Sequence, residues 1–304
     1  MSDTPDPALP HPSLPIIAAA STGVQVGLAI VATRFVVDQT GPASLALLRY
    51  AIGVCCLVPA VLMAPRVRFA RRDVAPIAIL GILQFGVLIA LLNLGLRTVP
   101  AGRAALVFAS FPLLTMLIAA ALAHERLGLA KSVGVLLTLV GVALALGEKL
   151  LVQGRDDEWL GELAVLASAF TGALCSVLYR PYLRRYPVLP VSAFAMLASV
   201  GFLALLAAGE GFFTTGPRFT AGGWGAVVFI GLSSGVFYSV WLWALRHGSP
   251  TRVTVFLALS PITAALVGAL ALDEPLTLGM LAGLACVALG LWVAHWPEPA
   301  RFEK

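Results

Sequence analysis

Charged side chains are scarce in this chain, and carboxylates are absent from the places where membrane chemistry would need them. Only 12% of the 304 residues are charged, against roughly 25% in soluble domains, whereas 60% are hydrophobic. No Asp, Glu or His falls in the middle third of any long apolar run. The composition is that of a membrane protein, and it disfavours proton relay through a buried carboxylate.

Residues that hold metals or attack substrates are also few. The cysteines Cys55, Cys56, Cys175 and Cys286 lie inside apolar runs without metal-ligand spacing, and the four histidines stand at run ends or termini. The sequence has no phosphate-binding loop, nucleotide fingerprint or Ser-His-Asp set. We therefore predict no metal, no cofactor, no catalytic residue and no ATP-driven transport within this chain.

The apolar runs are long enough to cross a bilayer. About 20 apolar residues span the hydrocarbon core as a helix, and these runs lack the alternation of membrane β-strands. The predicted fold class is an all-α integral membrane protein with ten transmembrane helices, which we call spans 1 to 10. They cover roughly residues 14–37, 43–64, 74–97, 101–123, 128–148, 160–184, 189–208, 222–246, 250–272 and 277–296.

The second half of the chain repeats the first. PLLTMLIAAALAHERL begins at Pro112, and PITAALVGALALDEPL begins at Pro261, 149 positions later. Each repeat holds five spans, and an odd number makes the second copy enter the membrane from the opposite side, so the repeats are inverted. The expected organisation is a disordered tail (1–13), a first repeat (14–148), a connecting loop (149–159), a second repeat (160–296) and a C-terminal tail (297–304).

Basic residues predict the orientation, because cytoplasmic loops carry the excess of Lys and Arg. One loop holds four arginines between positions 66 and 72, and another holds three between 180 and 185. Both lie on the inner side if the two termini are cytoplasmic. Contact with anionic lipid accounts for the net charge of +5, so we expect the bilayer as a partner. No basic cluster is interleaved with aromatic residues, so we expect no nucleic acid as a partner.

One segment of the first half carries a family resemblance. NLGLRTVPAGRAALVFASFPLLTMLIAAALAHERL, followed by GVLLTLVGVAL, resembles the repeat unit of EamA-type members of the drug/metabolite transporter superfamily, and the pattern recurs in the second half. It is also similar to the amino-acid exporter branch of that superfamily. The resemblance implies a multi-pass inner-membrane exporter of amino acids, aromatic or otherwise neutral, or of related metabolites, working by alternating access. We expect it to act as a monomer.

Pro112 and Pro261 are the candidate hinges. Each lies near the middle of its span, where proline removes an N–H and crowds the carbonyl four residues earlier, at Phe108 and Leu257. The functional hypothesis is a pair of kinks that let half of each helix move as a gate. The alternative is a static kink whose freed backbone groups are satisfied by neighbouring helices.

Uncharged polar residues are the candidates for a substrate cavity, since they cost less to bury than charges. Ser234, Tyr238 and Trp241 of span 8 share one helix face at i, i+4 and i+7 and combine a hydroxyl with two rings. Packing between helices, with the rings towards lipid, is the alternative. The other candidates are Thr22 and Gln25 in span 1 and Gln84 and Asn93 in span 3.

Charged residues near the membrane have structural interpretations as well as functional ones. Arg49 lies inside span 2, where it either snorkels to the interface, pairs structurally or binds a substrate carboxylate. Glu125 and Glu274 end spans 4 and 9, and we expect each to cap the helix that follows it. Glycines seven residues apart in spans 5 and 10 predict a small-residue packing seam in a peripheral scaffold.

Three classes of function remain open at this point. A secondary exporter accounts for the repeats, the paired prolines and the polar stripe, and its substrate class could also be a different metabolite or a drug. An intramembrane enzyme would need a catalytic dyad or metal cluster at membrane depth. A non-transporting membrane partner would not need a kink in both halves.

Overall fold

The computed structural model describes residues 13–64, 67–122, 129–151, 157–248, 253–254 and 256–294. All regular elements in these ranges are helical. Seven helices are long and apolar enough to cross a membrane, and they coincide with spans 1–4 and 6–8. Shorter apolar helices occupy the positions of spans 5, 9 and 10: Ser132–Gly141, Leu259–Leu272 and Leu278–Gly290.

Most spans are single helices whose ends follow local chemistry. Span 2 begins at Pro42, where a missing N–H costs nothing, and Thr220 caps span 8 by accepting a hydrogen bond of 3.0 Å from the Gly223 N–H. The helices are Ser13–Val36 (span 1), Pro42–Met63 (2), Leu129–Leu151 (5), Asp157–Leu178 with Arg180–Arg185 (6), Val188–Gly209 (7), Ala221–His247 (8) and Leu278–Ala294 (10), with short turns at Val37–Gln39 and Phe212–Thr215.

The predicted domain limits need adjusting at two places. Ser13 already begins span 1, and the loop predicted at 149–159 is helical at both ends, because span 5 runs to Leu151 and span 6 starts at Asp157. Residues 1–12 and 295–304, which hold the predicted tails, lie outside the described residues.

Spans 3, 4 and 9 are interrupted helices. Span 3 consists of Arg71–Gly81, a π-helical segment Ile82–Val87 and Leu88–Gly95. Span 4 consists of Ala101–Phe108 and Phe111–Ala121, separated by a turn directly before Pro112. In span 9 the 3-10 turn Phe256–Ala258 precedes Leu259–Leu272, which contains Pro261. The helix thus breaks near each proline, because proline offers no N–H to the preceding turn.

The two halves pack together in corresponding pairs. Span 8 of the second half packs on spans 1 and 2, while span 3 of the first half packs on spans 6 and 7. Small residues permit the closest approach: a methyl group added to Gly235 would lie 2.8 Å from the carbonyl oxygen of Gly53. This contact between spans 8 and 2 sets the position of the site described below.

Spans 5 and 10 pack chiefly against each other. A methyl group on Gly141 would lie 2.6 Å from the Gly283 carbonyl oxygen, and one on Gly283 would lie 2.7 Å from that of Gly141. The predicted small-residue seam is therefore confirmed. Large apolar side chains such as Leu205, Leu270 and Leu160 are 75%, 85% and 72% exposed on the outer faces of the bundle, as expected for contact with lipid.

Candidate functional site

A cavity lies where spans 1, 2, 3, 4, 8 and 9 meet, so both halves form its wall. Its volume is about 100 Å³. One ordered water needs ~10–15 Å³ on the same measure, so the space holds more than a single solvent molecule. The wall is largely apolar, with a few polar groups, as is usual for small-molecule sites.

Six of the seven residues predicted to line a cavity do so: Thr22, Gln25, Gln84, Ser234, Tyr238 and Trp241. The exception is Asn93, which is 1% exposed and lies outside the wall. Its side-chain Nδ2 donates a 2.8 Å hydrogen bond to the Pro42 carbonyl. Asn93 therefore joins spans 3 and 2 within the first half, and its polarity serves packing between these helices.

The polar stripe of span 8 faces the cavity because two glycines of this helix pack directly against span 2. Gly231 and Gly235 bring span 8 against span 2, and the Ser234 hydroxyl donates to the Ile230 carbonyl at 2.6 Å. Trp241, one helical turn from Tyr238, is only 4% exposed and lines the cavity. The alternative that the rings of span 8 face lipid is therefore wrong for Trp241.

Arg49 is buried in the cavity wall and does not snorkel. Its side chain is 8% exposed, and its Nε donates a 2.7 Å hydrogen bond to Ser234 Oγ across the two halves. The guanidinium carbon lies 5.6 Å from the centre of the Tyr50 ring. No described carboxylate lies within 4.0 Å of it. Of the three alternatives, escape to the interface is wrong, since the close approach of spans 2 and 8 places Ser234 beside the guanidinium.

Aromatic rings that the sequence analysis did not select complete the wall. The Tyr50 and Phe85 ring centres are 4.8 Å apart, and those of Phe85 and Tyr238 are 4.2 Å apart, both edge to face. Phe111 meets Trp241 at 6.4 Å. The Tyr238 hydroxyl lies near that of Tyr179, but neither makes a hydrogen bond of ordinary geometry to a described residue.

The two prolines lie behind the cavity. Both are buried, and residues immediately before them line the wall: Phe108 and Phe111 in span 4, and Leu257 in span 9. The interruption of each span thus coincides with its contribution to the cavity. Movement at these two positions stays a prediction.

Two glutamates of the second half cap helices of the first half, and we call them the latch glutamates. Glu274 Oε1 accepts from the Ala101 N–H at 3.0 Å, and its Oε2 accepts from Gly102 at 3.4 Å. Glu210 accepts from the Ala43 and Ser44 N–H groups at 3.0 and 2.8 Å.

Spans 4 and 2 have no side-chain cap of their own, since their N-cap residues are proline and glycine. The capping role predicted for Glu274 is confirmed, but the capped helix is span 4 and not the following one. Glu125 lies outside the described residues.

The latch glutamates mark one end of the bundle, the latch end. Arg34 Nε lies 4.0 Å from Glu274, and Arg97 donates to the Thr40 carbonyl at 2.8 Å at the same end. At the opposite end, Asp73 accepts hydrogen bonds of 2.6 Å from both Arg185 and Tyr186. The halves are therefore joined by polar contacts at both ends, with the cavity between them.

Among the described residues, no group of three or more His, Cys, Asp or Glu is placed to hold a metal ion. The polar groups of the described wall residues are hydroxyls, amides, the Trp241 indole and the Arg49 guanidinium. This donor set suits an organic solute with hydrogen-bonding groups.

Residues 13–147 and 159–296 each match the EamA-like transporter family. The chain belongs to this family. This EamA protein is accordingly a multi-pass membrane protein of the drug/metabolite transporter superfamily.

Individual relatives agree with the family. An uncharacterized transporter of Archaeoglobus fulgidus is 27% identical over 91% of this chain and 97% of its own length. A probable terminal-alkyne amino-acid exporter of Streptantibioticus cattleyicolor is 30% identical over 89% of this chain and 87% of its own. A crystal structure that is 24% identical superimposes with a TM-score of 0.70, covering 91% of this chain and 97% of that one, and this likeness shows the fold alone.

Proposed function

We propose that this EamA protein is a secondary exporter of neutral or aromatic amino acids, or of related small metabolites, in the inner membrane. The observation that carries the proposal is the cavity between the halves, whose wall combines Arg49, neutral polar groups and aromatic rings. The relative named as a probable amino-acid exporter supports the substrate class.

The proposal includes ten membrane-crossing helices in two inverted repeats, 14–148 and 160–296, with both termini in the cytoplasm. The separate family matches to 13–147 and 159–296 support the two repeats. Corresponding pairs of spans across the halves support the inversion. In this orientation the latch end faces away from the cytoplasm.

Alternating access supplies the mechanism. Polar contacts join the halves at the latch end, where the first half of span 4 packs against span 9 and span 1. Substrate enters the cavity from the cytoplasmic side when the contact of Asp73 with Arg185 separates, and release requires the latch contacts to separate. The interruptions beside Pro112 and Pro261 divide spans 4 and 9 into segments that can change angle independently.

The wall chemistry supports an uncoupled mechanism. None of the described wall residues is an Asp, Glu or His, so the cavity offers no group that exchanges protons near neutral pH. This absence supports export down the gradients of the substrate itself, both concentration and, for charged solutes, membrane potential.

Purified protein in liposomes loaded with labelled amino acids tests the function. We expect release that is faster than from protein-free vesicles, that saturates with substrate and that persists without a pH gradient. Absence of release across a panel of amino acids, organic acids and other small metabolites would refute the proposal. Release only with an imposed pH gradient would refute the uncoupled mechanism.

A further inference from the structure

We propose that the cavity recognises its substrate by a carboxylate group that binds Arg49, and that a substrate ammonium group is not required. The substrate class is thus an organic carboxylate with an apolar or aromatic body. The inference rests on the proposed transport function for its physiological meaning, but the binding site itself can be tested without transport.

Arg49 is presented to the cavity with most of its hydrogen-bonding capacity unused. A guanidinium has five N–H donors, and Nε–H is the one that bonds Ser234. The remaining four make no hydrogen bond to a described residue, although Arg49 lines the cavity. Two parallel donors of this kind match the two oxygens of a carboxylate.

Ser234 fixes the guanidinium without neutralising it. The serine hydroxyl donates its proton to the Ile230 carbonyl and accepts from Arg49, so both of its roles are already assigned. Gly231 and Gly235 allow this meeting, because any side chain there would collide with span 2. Residues of both halves therefore hold one cation at a set position in the wall.

The described residues around Arg49 do not neutralise its positive charge, so a ligand can do so. The other polar groups of the described wall, including Thr22, Gln25 and Gln84, are neutral. A buried charge is costly unless it is paired, and an incoming carboxylate supplies the pair. A substrate ammonium would meet repulsion from Arg49 and find only neutral oxygens as acceptors, so it adds little to binding.

The aromatic residues of the wall determine which kind of body the substrate has besides its carboxylate. Tyr50, Phe85 and Tyr238 form a chain of edge-to-face contacts, and the Arg49 guanidinium lies over the Tyr50 ring. An apolar or aromatic body can pack on these rings while its carboxylate reaches the guanidinium. A second carboxylate on that body would have no further cation to pair with among the described wall residues.

Four probes with the same phenyl body isolate the charge: 3-phenylpropionate, L-phenylalanine, 3-phenylpropanamide and phenethylamine. Binding at pH 7 is measured by ligand-dependent thermal stabilisation of the purified full chain. We expect 3-phenylpropionate and phenylalanine to bind roughly 10- to 100-fold more tightly than the amide, as loss of a charged hydrogen-bonded group implies. Phenethylamine should bind most weakly.

The variant Arg49→Gln should weaken both carboxylates by the same 10- to 100-fold and leave the amide within about threefold. Arg246→Gln, which removes an exposed cation at the end of span 8, is the matched control and should change none of the four affinities. If Arg49→Gln does not fold, the ranking of the four probes on the unmodified protein still decides the matter.

Equal affinity for acid and amide, tighter binding of the amine, or binding of neither carboxylate would each overturn the assignment. Phenylalanine binding with no binding of 3-phenylpropionate would also overturn it, because an ammonium would then be required. If the carboxylates bind but no solute leaves the liposomes, the role of Arg49 is supported and the exporter function is refuted. If only solutes without a carboxylate leave the liposomes, the exporter function is supported and the role of Arg49 is refuted.

Discussion

The latch glutamate Glu274 should control how readily the latch end opens. Its carboxylate accepts two backbone hydrogen bonds from the start of span 4, which has no cap of its own. Loss of a cap costs ~0.5–2 kcal/mol, and loss of a carboxylate at a helix N-terminus costs a further ~0.3–1 kcal/mol. The pair with the partly exposed Arg34 at 4.0 Å adds little.

These contacts exist only while the latch end is closed, so Glu274→Ala weakens the closed state selectively. A change of about 1–3 kcal/mol corresponds to a shift of roughly 5- to 150-fold in the equilibrium between closed and open. Glu274→Gln keeps one acceptor oxygen and should give a smaller shift. Water satisfies the freed N–H groups once the end is open, so the folded protein should persist.

Cysteine accessibility measures this shift. Thr33→Cys places a thiol in the cavity wall at a position that is 2% exposed, in a background with Ser at positions 55, 56, 175 and 286. A membrane-impermeant maleimide is added from the side that the latch end faces. We expect Glu274→Ala to raise the labelling rate at least fivefold.

Asp38→Ala is the control for removing a carboxylate at the latch end. Asp38 is exposed and pairs with Arg34 at 3.1 Å within the first half, so it does not join the halves. Its removal should leave the labelling rate unchanged. An unchanged rate in Glu274→Ala, together with a lowered midpoint of thermal unfolding, would show that Glu274 is only a structural cap and would refute the latch.

Three further predictions follow from other contacts. Pro112→Ala and Pro261→Ala should slow efflux more than they lower the yield of folded protein, and equal losses would make both prolines purely structural. Tyr238→Ala removes a ring that packs on Phe85 at 4.2 Å and should weaken competition by aromatic substrates more than by aliphatic ones; an unchanged competition profile would remove Tyr238 from the site. Gly141→Val should lower the free energy of unfolding by about 1–3 kcal/mol, because the seam with span 10 has no room, whereas Gly201→Ala, with no atom within 4 Å of the added methyl, should not. Equal free energies of unfolding for the two glycine variants, measured by chemical denaturation, would contradict close packing at the seam.

The polar part of the site could be predicted because a polar side chain inside an apolar run must find a partner or a cavity. Gln25 and Ser234 follow this rule and line the wall. Asn93 follows the same rule with a different outcome, since its partner is the backbone carbonyl of Pro42. A single sequence contains no information that separates these two solutions.

The aromatic part could not be predicted, because a ring in an apolar run is equally suited to lipid, to the core and to a cavity. Phe85 reaches the cavity through the π-helical segment Ile82–Val87, which changes the angular register of span 3. The periodicity of a regular α-helix therefore does not predict which side of span 3 Phe85 occupies. Phe108 and Phe111 are similarly placed by the interruption of span 4.

The latch was only half predictable. A carboxylate at a helix end indicates capping, and the simplest partner is the next helix in the chain. The actual partner of Glu274 is 173 positions away, in the other half. The sequence does contain a complementary signal, since spans 2 and 4 begin with Gly41-Pro42 and Pro100-Ala101, which leave their first N–H groups without a local side-chain cap.

Uncapped helix starts are a suitable place for a reversible contact between two halves. Loss of one partner of a fully buried ion pair costs roughly 3–5 kcal/mol, but the pair that joins the halves at the opposite end, Asp73 with Arg185, has an arginine that is 48% exposed and that water can solvate on separation. A glutamate on uncapped backbone N–H groups likewise exchanges each bond for one with water when the end opens, and access states must differ by only a few kcal/mol to interconvert. The latch glutamates Glu210 and Glu274 therefore suit a cycle, and converting the Glu274 contact into a permanent one should stop it. A disulfide beside this contact, between Cys residues introduced at Ala101 and Gly268, whose Cβ atoms would lie 3.9 Å apart, should abolish efflux under oxidation and restore it on reduction. Undiminished efflux from the crosslinked protein would show that this end never opens.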